Sequence, residues 1–133
     1  MELEGLVSAA REARSNAYAP YSKFRVGAAV MGISGRIYVG CNVENASYGA
    51  TLCAERAAIC SMVACGESRL TAVAVFTDAD PAASPCGICR QVLAEFAEDA
   101  PIVIASPRQQ SVLSLAALLP ERFVFNQGTI LNG

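Results

Sequence analysis

Two predicted strand–helix–strand units constrain the fold of this chain more than any other feature. Residues 71–77 alternate branched and small apolar residues, and residues 102–105 are entirely apolar, which is typical of short buried strands. A helix is predicted between them, with Ser84 as its N-cap, Pro85 as its first helical residue and its end near Phe96. Because a helix that crosses over between neighbouring strands makes them parallel, the pattern predicts an α/β fold.

The rest of the chain extends this predicted sheet. Residues 24–31 and 36–41 are rich in strand-forming residues and flank a short Gly-containing turn, which predicts a β-hairpin. A second crossover helix is predicted from its N-cap Thr51 to about Ala64. The remaining predicted elements are an amphipathic helix over 3–17, a last amphipathic helix over 111–119 and an edge strand or tail at 123–125. We therefore expect one domain over residues 1–133, formed by a single mixed five-stranded sheet with helices on both faces.

Composition excludes several classes of protein. The chain is 53% hydrophobic with a net charge of −2, and it has no basic stripe, so we expect neither disorder nor binding to a nucleic acid polymer. Only 17% of the residues are charged, which hints at apolar surface covered in an oligomer. The sequence shows neither a secretory signal nor a membrane span, so we expect a cytoplasmic protein with reduced thiols.

Six cysteines and no histidine restrict the chemistry further. Any metal site must use sulfur, with or without carboxylates, and a Ser-His or Cys-His nucleophile pair is excluded. Cys53, Cys86 and Cys89 lie at the predicted starts of the two crossover helices, where α/β sheets place ligands. Three thiolates with one vacant position are the pattern of a catalytic zinc ion, and the helix N-termini favour the thiolates. Cys41, Cys60 and Cys65 are expected to be buried small apolar residues.

Two charged residues refine the predicted zinc site. Residues two apart on a helix point in different directions, so Cys53 and Glu55 converge only on a metal that lies beyond the helix end. Glu55 then reaches the open coordination position as an acid/base group rather than as a ligand. Arg56 is three residues from Cys53 and is predicted to donate to the sulfurs, which offsets their excess negative charge. The alternative for Arg56 is a solvated surface arginine.

The sequence resembles a known enzyme family. Cys53-Ala54-Glu55 followed by Pro85-Cys86-Gly87-Ile88-Cys89 resembles the all-cysteine form of the zinc deaminase signature. Residues 18–24 and 40–48, which include Asn42-Val43-Glu44-Asn45, are similar to the small cytidine deaminases. This likeness runs from about residue 10 to Phe123 and includes Arg90-Gln91-Val92.

The resemblance implies a fold, a reaction and a set of roles. It implies a cytidine deaminase-like α/β/α sandwich that converts free cytidine or deoxycytidine and water to the uracil nucleoside and ammonia in pyrimidine salvage. It implies that the three cysteines bind one zinc ion per subunit and that Glu55 moves the protons. The residues implied to contact the nucleoside are Phe24, Asn42, Glu44, Ala54 and Phe123. The short family form is a homotetramer whose sites are shared, so Phe123, or Phe125 in its place, is expected to reach a neighbouring subunit.

Three alternatives remain open at this point. Cys86 and Cys89 have the spacing of a thiol–disulfide oxidoreductase, although that function leaves Cys53 and Glu55 unexplained. A structural zinc module would need a fourth ligand, for which Cys41 and Cys60 are the candidates. The third alternative is a deaminase of a modified or antibiotic cytosine nucleoside; Asn42 and Glu44 favour a free ribose, but the sequence does not give the fine specificity.

Overall fold

A computed structural model describes residues 3–125 of the chain. It contains one five-stranded sheet with the strand order β2-β1-β3-β4-β5. The strands are β1 (Val26–Gly32), β2 (Ile37–Cys41), β3 (Leu70–Thr77), β4 (Pro101–Ala105) and β5 (Gln110–Ser114). The helices are α1 (Leu3–Arg14), α2 (Ala54–Ala64), α3 (Gly87–Glu95) and the single turn α4 (Leu115–Leu118), with a 3-10 turn at Tyr48–Ala50.

The predicted crossover units and the mixed sheet are confirmed. Strands β3 and β4 pair in parallel, whereas β1 pairs antiparallel with both β2 and β3 and β5 pairs antiparallel with β4. Strands β2 and β3 therefore run in the same direction, and α2 connects them across β1. Helix α3 makes the second crossover, between β3 and β4.

Helices cover both faces of the sheet, as the sequence predicts. Alternate residues of β3 point to opposite sides, so that Val73 and Val75 pack with α2 and α3 while Ala72 and Ala74 pack with α1. The α1 layer is built on small residues and brings the helix close to the sheet. At Gly27 of β1, a Cβ atom would lie only 1.9 Å from the carbonyl oxygen of Ala10 in α1.

A second close approach fixes the position of α2. A Cβ atom at Gly40 of β2 would lie 2.4 Å from the backbone nitrogen of Ala58 and 2.6 Å from the carbonyl oxygen of Ala54. Only a residue without a side chain allows this contact between strand and helix. The first turn of α2, which carries Glu55, is thereby held against the sheet.

The last helix of the sequence prediction is wrong. Residues 111–119 do not form one helix, because residues 110–114 form β5 and only Leu115–Leu118 are helical. Of the two alternatives for residues 123–125, an edge strand or a tail, the structure has the tail, because these residues form no strand. The cause is the free edge of β4, whose backbone groups pair with β5 from Pro101↔Ser114 to Ala105↔Gln110. The sheet thus keeps five strands, but the fifth is β5.

Within residues 3–125, every helix falls short of the length and apolar character that crossing a bilayer requires.

Candidate active site

The helices α2 and α3 begin with cysteines. Cys53 is the N-cap of α2 and Cys86 is the N-cap of α3, both with extended backbones, and neither side chain makes a capping hydrogen bond. The predicted N-caps, Thr51 and Ser84, therefore lie two residues too early. Leu52 stays extended because its backbone exchanges two hydrogen bonds of 2.9 Å with Val43. As a result, the two sulfurs lie at the helix ends, where the helix dipoles favour negative charge.

Three sulfurs meet at this point. The Sγ atoms of Cys53, Cys86 and Cys89 all lie within 4.8 Å of one another. Three thiolates on a tetrahedral zinc ion, each about 2.3 Å from the metal, have sulfurs about 3.8 Å apart. The donor set and its spacing therefore fit zinc with a fourth position free. Cys41 and Cys60 are not part of this cluster within the residues that the structure describes.

The electrostatics of the sulfurs also favour a cation. Burial raises the pKa of the Cys89 thiol, and the negative charges of Glu55 and Cys53 raise it further. Burial also acts to raise the pKa of Cys86, but backbone N–H groups of Cys89 and Ile88 and the neighbouring thiols outweigh it, so the pKa of Cys86 is lowered. Since a coordinated cation deprotonates a thiol outright, a bound divalent metal resolves the unfavourable charge at Cys89.

Glu55 is buried beside the sulfurs. Its side chain is 5% exposed, and burial raises its pKa above the ordinary value for glutamate. It lies in the first turn of α2 and lines one cavity together with Cys53 and Cys86. Cys53 and Glu55 thus face one cavity at the start of α2, and the acid/base role of Glu55 stays a prediction. A carboxyl group with a raised pKa in such a place is suited to exchange protons near neutral pH.

Arg56 contacts the sulfur cluster. Its Nη2 lies 3.4 Å from the Sγ of Cys53 and 3.4 Å from the carbonyl oxygen of Thr51. Its Nε is buried and has no hydrogen-bond partner among residues 3–125. The structure therefore places Arg56 beside the Cys53 sulfur, as the sequence predicts.

The cavity over the sulfurs has a volume of about 200 Å³. Of the residues implied to contact a nucleoside, Phe24, Asn42 and Ala54 line it. Sequence reasoning did not identify the other lining residues, which are Val26, Thr51, Val75, Thr77, Ala83 and Ser84. Val75 and Thr77 lie at the carboxyl end of β3, a strand of the parallel pair, and that position at the edge of the sheet is the signal that could have identified them.

Asn42 and Glu44 are already hydrogen-bonded within the chain. The Asn42 amide donates to the carbonyl oxygen of Phe24 at 2.8 Å and accepts from the Val26 N–H at 2.9 Å. The Glu44 carboxylate lies in an adjoining recess with Tyr21 and Ser22 rather than in the cavity. It accepts hydrogen bonds from both backbone N–H groups of that pair and from the Ser22 hydroxyl, which lowers the pKa of Glu44.

The structure places Phe123 and Phe125 outside the cavity and leaves the cysteines outside the sulfur cluster at least partly exposed. Phe123 is 67% exposed and lies beside the C-terminal half of α3, away from the cavity of its own chain, and Phe125 lines the same outer groove. The expectation that Cys60 and Cys65 are buried is wrong, because Cys60 is exposed within α2 and Cys65 is exposed at its C-cap, and Cys41 is only partly buried. Cys60 follows the buried Ile59 and so points away from the sheet.

The comparison with known families agrees with this geometry. Residues 1–105 match the family model described as the cytidine and deoxycytidylate deaminase zinc-binding region. The chain belongs to this family.

Relatives and solved structures of the same family cover most of the chain. A cytidine deaminase of Sporosarcina psychrophila is 43% identical over 125 residues, which cover 92% of each chain. A cytidine deaminase of Mycobacterium tuberculosis is 44% identical over 114 residues, which cover 86% of this chain and 84% of the relative. The crystal structure of cytidine deaminase from Burkholderia pseudomallei superposes with a TM-score of 0.88 at 42% identity, over 92% of this chain and 100% of that one. The chain is therefore similar to these deaminases in sequence, and to the solved one also in fold.

Proposed function

We propose that this protein is a zinc-dependent cytidine deaminase that hydrolyses free cytidine and deoxycytidine to uridine and deoxyuridine with release of ammonia. One observation carries the proposal: three sulfurs lie within 4.8 Å of one another, and two of them, those of Cys53 and Cys86, line one cavity with the buried side chain of Glu55. The names of relatives more than 40% identical over most of the chain support the substrate.

The metal site uses the chain's own sulfurs. Cys53, Cys86 and Cys89 hold the ion, and Arg56 donates to Cys53, so its positive charge offsets part of the charge of three thiolates. When bound, zinc supplies a Lewis acid that makes water a nucleophile near neutral pH.

Glu55 moves the protons of the reaction. Its carboxylate accepts a proton from the attacking water and delivers it to N3 of the cytosine ring, as a C4–O bond forms. It then accepts the hydroxyl proton and delivers it to the amino nitrogen as the C4–N4 bond breaks, so that ammonia leaves and the C4 carbonyl of uracil remains. Its raised pKa suits both directions of transfer.

The cavity binds the nucleoside in this proposal. Phe24 and Ala54 contact the base, and Asn42 and Glu44 hydrogen-bond the ribose. An amide has two N–H donors and two acceptor lone pairs, so Asn42 keeps one donor and one acceptor site beyond its bonds to Phe24 and Val26. A carboxylate accepts about four hydrogen bonds, so Glu44 keeps capacity beyond its bonds to the turn at Ser22.

The same proposal covers the assembly and the setting of the enzyme. We propose a homotetramer in which Phe123, or Phe125, completes the cavity of a neighbouring subunit. The support is that Phe123 is exposed and lies away from the cavity of its own chain. One domain over residues 1–133, a cytoplasmic location and a role in pyrimidine salvage stay predictions.

Replacing Ser22 by alanine is expected to raise KM for cytidine several-fold with little change in kcat. The Ser22 hydroxyl donates to Glu44 and accepts from the Phe24 N–H at 3.0 Å, so its loss frees the two side chains proposed to bind the nucleoside. One such hydrogen bond stabilises by about 1 kcal/mol. Steady-state kinetics measure the effect.

Ser34 provides a matched control. It makes the same set of bonds, with its N–H and hydroxyl on Glu67 and its Oγ accepting from the Arg36 N–H, but at the hairpin turn outside the cavity. S34A is expected to leave KM at the wild-type value. Equal KM values in S22A and S34A would show that Ser22 does not contribute to nucleoside binding.

The proposed function itself is tested with purified protein and cytidine. We expect the cytidine absorbance to fall with stoichiometric ammonia release, activity to disappear after zinc removal by a chelator, and zinc addition to restore it. A protein that reduces a model disulfide through Cys86 and Cys89 but releases no ammonia would establish the oxidoreductase alternative. A far lower KM for a modified cytosine nucleoside than for cytidine would establish the alternative of a deaminase for a modified or antibiotic nucleoside.

A further inference from the structure

Arg90 holds the segment of chain that leads into the ligand Cys86. Its Nε donates to the carbonyl oxygen of Pro85 at 2.8 Å, and its Nη2 lies 3.2 Å from the Oγ of Ser84. Its backbone N–H donates to the carbonyl oxygen of Cys86 at 3.0 Å. The side chain thus turns back over the first turn of α3 and binds the two residues that precede the ligand.

The segment before Cys86 has no regular secondary structure, so side-chain hydrogen bonds are needed to hold it in place. Residues 78–85 form no helix or strand, and Cys86 is exposed and receives no capping hydrogen bond through its own side chain. Elsewhere in the segment, the described side-chain hydrogen bonds are from Arg14 to Asp78, from Ala79 to Thr77 and from Gln109 to Asp80, all at its start. Arg90 therefore supplies the side-chain anchor closest to the sulfur.

The third nitrogen of the Arg90 guanidinium contacts the segment that follows β5. Its Nη1 donates to the carbonyl oxygen of Leu118, the last residue of α4, at 3.0 Å. The next residue, Gln91, exchanges two hydrogen bonds of 3.1 Å with the backbone of Phe123. Two successive side chains of α3 thus join the segment before Cys86 to the segment that carries Phe123.

The chemistry of these contacts requires an arginine. The three acceptors are two carbonyl oxygens and a hydroxyl, and no carboxylate forms an ion pair with Arg90 within residues 3–125. A planar guanidinium with five N–H donors reaches three separate acceptors at once, whereas the single ammonium nitrogen of lysine does not.

We propose that Arg90 is a positioning residue for the metal: it fixes the segment 84–86 so that the Cys86 sulfur stays within the cluster and zinc is retained. The proposal rests on the proposed function for the identity of the ion. Loss of Arg90 frees the approach to Cys86 while all three sulfurs remain in the chain.

The test compares zinc release from zinc-loaded R90Q, R90K, R122Q and wild-type protein after mixing with an excess of a chromogenic chelator. Arg122 is the matched control, since its guanidinium also binds backbone carbonyls, those of Ala94 and Ala97 at 2.7 Å, at the opposite end of α3. R90Q is expected to release zinc about tenfold faster than wild type. R90K is expected to fall between them, and R122Q to match wild type even if its thermal stability drops as much as that of R90Q.

A second measurement keeps the proposal independent of the metal and of activity. Amide hydrogen exchange of the zinc-free proteins is expected to accelerate over residues 86–90 in R90Q and over residues 95–98 in R122Q. Release from R90Q no faster than from R122Q, or unchanged exchange around Cys86, would overturn the role of Arg90. Wild-type protein that takes up no zinc would contradict the proposed function, and the exchange experiment would still decide on the positioning.

Discussion

Glu55→Gln is expected to lower kcat for cytidine by about a thousandfold while the protein still binds one zinc ion per chain. Glutamine has the same shape as glutamate and fits the same buried position, where the native side chain is 5% exposed. It cannot accept a proton from water or pass one to the ring and the leaving amine. The expected measurements are ammonia release for the rate and atomic absorption for the metal content.

Glu12→Gln is the control for this substitution. Glu12 is an exposed residue of α1, on the face of the sheet opposite α2, so its replacement changes the net charge by the same amount without touching the cavity. E12Q is expected to keep wild-type kcat and zinc content. A Glu55→Gln variant with near-normal turnover would show that another group moves the protons.

The proposed division between metal ligands and an acid/base group could be predicted from the sequence, because the residues concerned lie in two short segments at helix starts. In a chain without histidine any metal site must use sulfur, with or without carboxylates, and three cysteines lie at two predicted helix starts. The helical period allows Cys53 and Glu55 to share a site only beyond the helix end. The start of α2 was still two residues off. The backbone bridge between Val43 and Leu52 keeps the chain extended up to Cys53. The preference of threonine for N-cap positions predicted a start at Thr51, because it carries no information about that pairing.

The error at the C-terminal end of the sheet has the same origin. Residues 110–114 carry a pattern that also suits an amphipathic helix, and local propensity does not record that β4 offers an unpaired edge. Pairing with that edge satisfies the backbone groups of both strands. Leu113 and Leu115 then pack on the core from a strand and a single helical turn.

The polar contacts that shape the site are mostly invisible to sequence reasoning. Ser22 and Glu44 are 22 residues apart, and Arg90 and Leu118 are 28 apart. A motif can show that Glu44 and Arg90 belong to a family pattern, but only the fold shows which backbone groups they bind. These contacts join Glu44 through Ser22 to Phe24, and Arg90 to the two residues before Cys86.

Cys53→Ser is expected to weaken zinc binding by more than about a hundredfold and to abolish deamination, because it removes one of three ligands from the cluster. Serine is among the preferred N-cap residues, so the start of α2 is not weakened and the loss is not a loss of the helix. Competition with a chelator of known affinity measures the zinc affinity, and circular dichroism checks the helix content.

Cys60→Ser is the control for this substitution, and Cys53→Ser also tests the alternative of a thiol–disulfide oxidoreductase. Cys60→Ser removes an exposed thiol from the same helix and is expected to keep zinc and activity. Cys53→Ser leaves the Cys86 and Cys89 pair intact, so a thiol–disulfide oxidoreductase would keep its activity in that variant. Full zinc content and full deamination in Cys53→Ser would contradict the three-sulfur site, since two sulfurs would then suffice to hold the metal.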